Sequence, residues 1–365
     1  MRILQVIQKR QLRGAEIFAS QLSQQLLEKG HECLMVAIFE GNAQLLFSGE
    51  VLDLNASKRK RFVQLAAWQR LAKIIREFNP DIVQANAADT LKFSVFSKII
   101  YGWRTPIVYR NANKMGDFID SKVKRIFNQF LLNKCLGIAS VSELCRVDFL
   151  ETFNFKCERT RTLSIGVNSD LNQYDFPEDL KALKGEGPLL INVASLVPEK
   201  NHNALLEIFT DIKKQSPNAK LLVLGDGHLK EELKGQIKSM GLGGSVHLLG
   251  YRKDVLPIVQ HADLFLLPSL IEGLPGVILE SFMMKTPVVA NNVGGISEVV
   301  RDEQTGRLIE PGDTKGFAAA CKVLMADAAY AEKLANQAHD LVNTEYLNSI
   351  IAKKFESFYE ELITS

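Results

Sequence analysis

No apolar run in this 365-residue chain reaches the roughly 20 residues that a membrane-spanning helix needs. Cysteine is sparse: Cys33, Cys135, Cys145, Cys157 and Cys321 are odd in number, far apart and form no C-x-x-C. That pattern argues against a disulfide framework and against a zinc site, and leaves reduced thiols as the expectation. The six histidines are scattered without ligand spacing, so no metal site is expected. No G-x-G-x-x-G follows a first strand; the nearest approach, Gly225-Asp226-Gly227, lacks the third glycine and lies deep in the second half. A dinucleotide-dependent oxidoreductase is thereby disfavoured. The start, MRILQVIQKRQLRG, is broken by Gln5 and Gln8 and reads as a buried strand rather than a signal peptide, with cytoplasm as the expected compartment.

What is present is an ordinary folded composition, 46% hydrophobic and 24% charged, in a chain longer than one core usually supports. Two domains are the natural expectation. The net charge of +2 conceals an asymmetry: residues 1–175 carry 25 Lys and Arg against 17 Asp and Glu (+8), and the remainder 19 against 25 (−6). The basic half mixes cations with aromatics at Lys58-Arg59-Lys60-Arg61-Phe62 and Tyr101-Gly102-Trp103-Arg104, and adds the basic run Lys122-Val123-Lys124-Arg125. Such surfaces suit lipid headgroups, so an anionic membrane surface is one expected partner and nucleic acid is not.

Short apolar strands alternate with longer amphipathic stretches. In the first half, strands are expected at 3–7, 32–38, 82–84, 106–109 and 138–140, with helices at 16–29 and 65–78. Residues 171–188, rich in Pro, Gly and charge, read as a linker. Strands then recur at 189–194, 220–224, 246–248, 264–267 and 287–290, with helices near 203–214, 229–240, 253–260, 277–284 and 297–301. This is the α/β class with parallel sheets, in two doubly wound Rossmann-like domains facing each other across a cleft. The expected division is 1–170, a linker, 189–347, and a last helix at 348–365 packing back on the first domain.

The most informative segment is 266–280, LLPSLIEGLPGVILE. A strand ends at Pro268, a loop carries Glu272, and a helix starts near Pro275 or Gly276. The leading N–H groups of that helix, with its dipole, make an anion site for a diphosphate or a sugar hydroxyl. Glu272 and Glu280 can each accept two hydrogen bonds from vicinal hydroxyls.

The Glu272-x7-Glu280 spacing resembles the E-x7-E motif of retaining glycosyltransferases of the GT-B fold, family 4. The opening MRILQVIQKRQLRGAE, the segment VASLVPEKNH (193–202), LLVLGDGHLKEEL (221–233), VHLLGYRKDV (246–255) and VVANNVGGISEVV (288–300) resemble its other blocks in order. The resemblance implies sugar transfer from a nucleotide-diphosphate sugar, UDP or GDP, to a glycan or lipid-linked acceptor. It implies that Glu272 contacts the donor sugar, Glu280 the ribose, and backbone amides from Leu274 through Pro275 and Gly276 to Val277 the donor at the helix start. Lys200 would neutralise the leaving diphosphate, Tyr251 and Arg252 would meet the base, and Gly14, Ser195 and Gly225 would lie on the donor. Retention by a front-face route, with the leaving phosphate taking the acceptor's proton, comes with the resemblance. No D-x-D occurs in the chain, so neither metal nor other cofactor is expected.

The chain departs from the pattern in three places. Arg13 stands where the family has its first loop glycine, Ser195 where a basic residue often precedes the lysine, and no histidine stands late in the first half. His31 reads as structural, and Arg110, Asn111 and Asn113 occupy the ground of the missing histidine, with Arg13 and these three as candidate sugar or acceptor contacts. A non-catalytic nucleotide-sugar-binding subunit and a sugar-nucleotide epimerase of the same architecture are the alternative readings.

Overall fold

The computed structural model describes residues 1–57, 64–169 and 172–364, so the basic run beginning at Lys58 lies outside the described residues. Two units emerge, Met1–Gly166 with Asn348–Ser365, and Val167–Leu347. Each has its own parallel sheet.

In the first unit the strands are β1 (Arg2–Lys9), β2 (Glu32–Phe39), β3 (Val51–Asp53), β4 (Ile82–Ala85), β5 (Ile107–Asn111), β6 (Gly137–Ser140) and β7 (Thr160–Thr162), in the order β3-β2-β1-β4-β5-β6-β7. β1 is buried along Ile3–Ile7 because helices cover both sheet faces, which is why four of these five residues are apolar and Gln5, the exception, is buried in a hydrogen bond from Asn86. The helices are α1 (Gly14–Glu28), α2 (Leu65–Phe78), α3 (Ala88–Tyr101), α4 (Lys122–Leu132) and α5 (Glu143–Thr152). α2 matches its expected bounds: its apolar positions buried on one face are Ala67, Trp68, Leu71, Ala72 and Ile75, and Asn79 ends it in the left-handed region at φ 45°. α3 escaped the sequence pattern because Thr90, Ser94 and Ser97 sit on its buried face among the apolar residues.

Trp103 corrects the reading of 101–104 as a basic-aromatic surface. Its ring is buried in the core, its indole N–H donates to Ser97 Oγ at 3.1 Å, and the Lys98 ammonium lies 4.9 Å from the ring centre. The basic neighbours in sequence gave no sign of this, since alternation along one chain does not report what packs on top.

In the second unit the strands are β8 (Leu189–Val193), β9 (Lys220–Leu224), β10 (Val246–Gly250), β11 (Leu264–Leu267), β12 (Val288–Asn291) and β13 (Arg307–Ile309), ordered β10-β9-β8-β11-β12-β13. The helices are α6 (His202–Lys213), α7 (Lys230–Ser239), α8 (Val255–Gln260), α9 (Gly276–Met283), α10 (Ile296–Val299), α11 (Thr314–Ala326) and α12 (Ala328–Glu345). Residues 172–188, within the stretch read as a linker, pack on this unit: Phe176 and Leu180 are buried, and the Tyr174 N–H donates to Gln260 Oε1 at 2.8 Å.

The chain then returns as α13 (Asn348–Thr364), which belongs to the first unit. Phe355 packs 5.5 Å from Phe18, and Ile351, Phe358 and Leu362 are buried beside it. Tyr359 donates its hydroxyl to Gln84 Oε1, opening a buried chain in which Gln84 donates to Asn86 and Asn86 to Gln5. His31 Nε2 lies 2.7 Å from Glu356, a contact that makes His31 part of this helix's seat. No helix among the described residues is long and apolar enough to cross a membrane.

Candidate active site

In the second unit the strand order runs outward from β8 in one direction and from β11 in the other, so the switch point lies between these two neighbours. Open parallel sheets bind ligands there, past the carboxyl ends of the strands. Lys200 follows β8 and Glu272 follows β11. Their side chains meet across the switch point, Lys200 Nζ donating to Glu272 Oε1 at 2.6 Å, with 22% and 7% of the side-chain surfaces exposed. Sequence reasoning named both residues; the fold brings them together.

Two further contacts tie the same two loops, and β12 anchors the second of them. Asn201, held at φ 53° between a turn of 3-10 helix (Pro198–Lys200) and α6, donates from Nδ2 to Pro268 O at 3.2 Å. The Leu270 N–H donates to Glu199 O at 2.8 Å. Asn291, at the end of β12, donates to Pro268 O at 3.0 Å and to Ser269 O at 3.1 Å. The loop carrying Glu272 is thus anchored through backbone carbonyls, which restrict its conformations more than side-chain packing alone would.

Glycines bring the neighbouring loops close. Gly225 has φ +135°, and a Cβ there would lie 1.9 Å from Ala194 O, so only glycine fits beside the loop that bears Ser195 and Lys200. Gly294 has φ +54°, and its Cβ would fall 1.8 Å from Glu272 O; the next residue, Gly295, donates its N–H to Gly273 O at 2.6 Å. This second clamp was not singled out from the sequence, although its two glycines stand in a block noted for its resemblance. Gly14, by contrast, opens α1 with nothing within 4 Å of an added Cβ, so its own surroundings impose no need for glycine.

Pro275 takes the N-cap position, one residue before α9 begins at Gly276, and no side chain caps that helix start. Leu274 is buried, while Gly276 and Val277 are partly exposed. Glu280, one turn into α9, is half-buried, and burial pushes its carboxyl above the ordinary range. His202 is the surprise. It is buried beside the lysine loop with neither ring nitrogen bonded among the described residues, and burial, then the nearby Lys200 charge, lowers its pKa to about 4. At neutral pH it is an uncharged ring. No group of three or more His, Cys, Asp or Glu able to hold a metal occurs among the described residues.

The structure separates other candidates from this group. Tyr251 is exposed, but the Arg252 guanidinium is held by Asp254 and by Asp179 at 2.7 Å, and these hydrogen bonds raise its pKa. Its side chain is committed, so only its backbone is open to a base. Arg110 and Asn111, expected as candidate sugar or acceptor contacts, lie on β5, which continues to Asn111 and buries both. Arg110 lies 4.0 Å from the Phe18 ring centre, and burial lowers its pKa to about 10; Asn111 donates to Ser140 Oγ and Cys145 O. Asn113 and Arg13 are exposed. Glu16 is buried with its pKa raised by burial, an effect partly offset by a hydrogen bond from Gln11.

Two family models match the chain in succession, Glycosyltransferase Family 4 over residues 12–171 and Glycosyl transferases group 1 over residues 177–341. The lipopolysaccharide core biosynthesis glycosyltransferase LpsE of Rhizobium meliloti is 28% identical over 52% of the chain, and the chain spans about half the length of that relative (52%). N-acetyl-alpha-D-glucosaminyl L-malate synthase of Bacillus anthracis is 28% identical over 96% of the chain and 94% of its own. Among solved structures, Anabaena Alr3699/HepE in complex with UDP and glucose superposes with a TM-score of 0.85 at 20% identity, covering 99% of this chain and 100% of that one.

Proposed function

The chain belongs to glycosyltransferase family 4 and has the GT-B fold, and from that premise we propose that it transfers a hexose-type sugar, with retention, from a UDP- or GDP-sugar to a glycan or lipid-linked acceptor of a cell-envelope polysaccharide. The observation that carries the reading is the 2.6 Å Lys200–Glu272 pair at the switch point beside the uncapped start of α9. A cation and a helix N-terminus together suit a diphosphate, and a carboxylate beside them suits sugar hydroxyls. The LpsE and HepE likenesses agree with an envelope product and a uridine nucleotide.

The chemistry follows from charge. As the bond between the anomeric carbon and the phosphate oxygen breaks, positive charge grows on the sugar and negative charge on the departing diphosphate. Lys200, released from Glu272, and the amides of α9 meet that negative charge; one preorganised donor of this kind is worth about 2.7–4 kcal/mol. Glu272 then accepts from sugar hydroxyls and places the anomeric carbon. The acceptor hydroxyl forms the new bond on the same face and gives its proton to the leaving phosphate, so no protein nucleophile is required. Glu280 holds the ribose. A resident metal is not part of this proposal, in keeping with a sequence that has no D-x-D.

A thermal-shift series with UDP, GDP and their sugars, each with and without EDTA, tests it. One nucleotide should raise the melting temperature regardless of EDTA, and Glu272→Ala should abolish transfer while keeping the nucleotide shift. No shift with any nucleotide refutes the reading. Release of nucleotide at an undiminished rate without acceptor supports the epimerase alternative instead.

A further inference from the structure

The first unit contains a cavity of about 720 Å³ that the donor chemistry does not use. It lies where that sheet's order reverses between β1 and β4, lined by residues from the ends of β1 and β2 and from the beginning of α3. Its walls are apolar and largely aromatic: Ile38, Phe39, Trp68, Phe93, Phe96 and Phe127. Four cations also line it, Lys9, Arg13, Lys92 and Lys124, against one lining carboxylate, Asp89, which pairs with Lys92 at 3.6 Å, while Lys124 pairs with Asp120, outside the lining, at 2.7 Å. Lys9 and Arg13 have no carboxylate within ion-pair distance among the described residues. The size is that of a small-molecule site, and the three glutamines that complete the polar lining already donate within the protein, Gln8 to Asp89, Gln11 to Glu16 and Gln64 to Ser57 O.

The helix α4 borders this cavity through Val123 and Phe127. It is turned inside out. Val123, Ile126, Phe127 and Phe130, spaced as one helical stripe, are 77, 70, 40 and 42% exposed, and only Leu131 and Leu132 are buried. A stripe of this kind normally faces a core. Lys122, Lys124 and Arg125 flank it, with no acidic residue anywhere in the helix. That combination is the signature of a helix lying in a membrane interface.

We propose that the cavity takes the apolar chain of a lipid-phosphate acceptor, that α4 sits in the bilayer interface as its doorway, and that Lys9, Arg13, Lys92 and Lys124 meet the phosphate. The proposal rests on the acceptor side of the function above and narrows it to one class. Three features favour a lipid over a free glycan or a protein: the aromatic share of the lining, the cations Lys9 and Arg13 with no carboxylate in ion-pair range among the described residues, and the continuity of the exposed stripe with a half-open cavity. A protein surface would cover the stripe but leave the cavity empty.

Trp68 supplies the probe, because it lines the cavity and the chain has one other tryptophan, Trp103, buried elsewhere in the core. Below its micellar concentration, dodecyl phosphate should shift Trp68 emission saturably, inorganic phosphate should not, and neutral dodecyl maltoside should bind about tenfold more weakly, the order expected from losing the charged contacts. The exposed reversals Lys92→Glu and Lys124→Glu together should weaken dodecyl phosphate by a similar factor. Ile126→Ser with Phe130→Ser should reduce sedimentation with phosphatidylcholine–phosphatidic acid vesicles about tenfold or more, yet leave dodecyl phosphate binding intact. Trp68 emission unmoved by dodecyl phosphate, or equal binding of the neutral detergent, overturns the proposal. So does indifference to the vesicles at low salt, which would make α4 a protein-docking face. The nucleotide thermal shift is read on every variant. If it persists while the lipid arm fails, only this inference falls; if it is absent from the unaltered protein, the donor reading falls.

Discussion

Gly294→Ala tests whether the clamp behind Glu272 matters to donor chemistry. The added Cβ would stand 1.8 Å from Glu272 O, and reaching 3.0 Å, below which real contacts essentially never fall, requires a displacement of about 1.2 Å. The rigid partner is the strand end at Asn291, so the Glu272 loop is the part that yields. A misplacement of about 1 Å at a reacting centre costs on the order of 100-fold in rate, or about 2.7 kcal/mol of transition-state stabilisation. The left-handed backbone adds roughly 1–3 kcal/mol of folding cost, lowering the melting temperature by about 2–4 °C per kcal/mol in a chain of this size. Gly241→Ala is the control: its φ is +69°, but an added Cβ meets nothing within 4 Å. Both variants should lose stability; only Gly294→Ala should lose kcat/KM for donor, measured by nucleotide release. Unchanged kcat/KM in Gly294→Ala, or an equal fall in Gly241→Ala, refutes the reasoning.

Lys200→Ala and Glu272→Ala should be strongly non-additive, since each removes one end of the same hydrogen bond; a double variant whose kcat/KM falls by the product of the two single effects contradicts a shared role. His202, with its pKa lowered to about 4 from 6.5, binds fewer protons folded than unfolded, so its contribution to stability is full above pH 6.5 and is lost as pH falls towards 4. The amount is about 3 kcal/mol, and His202→Asn should flatten the dependence of melting temperature on pH across that window; an unaltered slope counts against the buried neutral ring. Deleting residues 348–364 should leave the first unit unable to fold. It removes Ile351, Phe355, Phe358, Tyr359 and Leu362 and uncovers their partners, among them Ile3, Phe18, Leu22 and Val108, at roughly 1.5–3 kcal/mol for each large side chain, an amount comparable to a domain's whole stability. A truncation whose first-unit amides keep their protection from hydrogen exchange would disprove this.

The strand–loop–helix segment that bears Glu272 was legible because its parts are local. Glu272 and Glu280 sit on one strand–loop–helix segment, where chain spacing and position relative to the helix start carry the chemistry. The bounds of α2 were legible for a similar reason, an amphipathic stripe closed by an asparagine suited to the left-handed region. Lys200 and Glu272 were each named from resemblance, but their approach to one another was not, since 72 residues separate them. What escaped notice depends on packing between distant segments. Gly294 touches Glu272 only because β12 and β11 are neighbours, and the cavity in the first unit draws its walls from five elements, β1, β2, α2, α3 and α4, and from the loop after β1. Arg110 and Trp103 were misplaced for the opposite reason: polar neighbours in sequence suggested exposure, whereas burial was set by Phe18 in one case and Ser97 in the other.

The return of α13 to the first unit has a consequence for biosynthesis. Ile3, Ile82 and Val108 share their core with Phe355 and Phe358, so the first unit's sheet lacks part of its cover until residues 348–364 are translated. The second unit is one uninterrupted stretch and can fold while that happens. At about 5–20 residues per second, the interval between Gly166 and Asn348 leaving the ribosome is on the order of 10–40 s. Synthesis order and folding order are therefore reversed, and a nascent chain cut short anywhere in the second unit carries an open first sheet, a mark that chaperones and proteases can recognise.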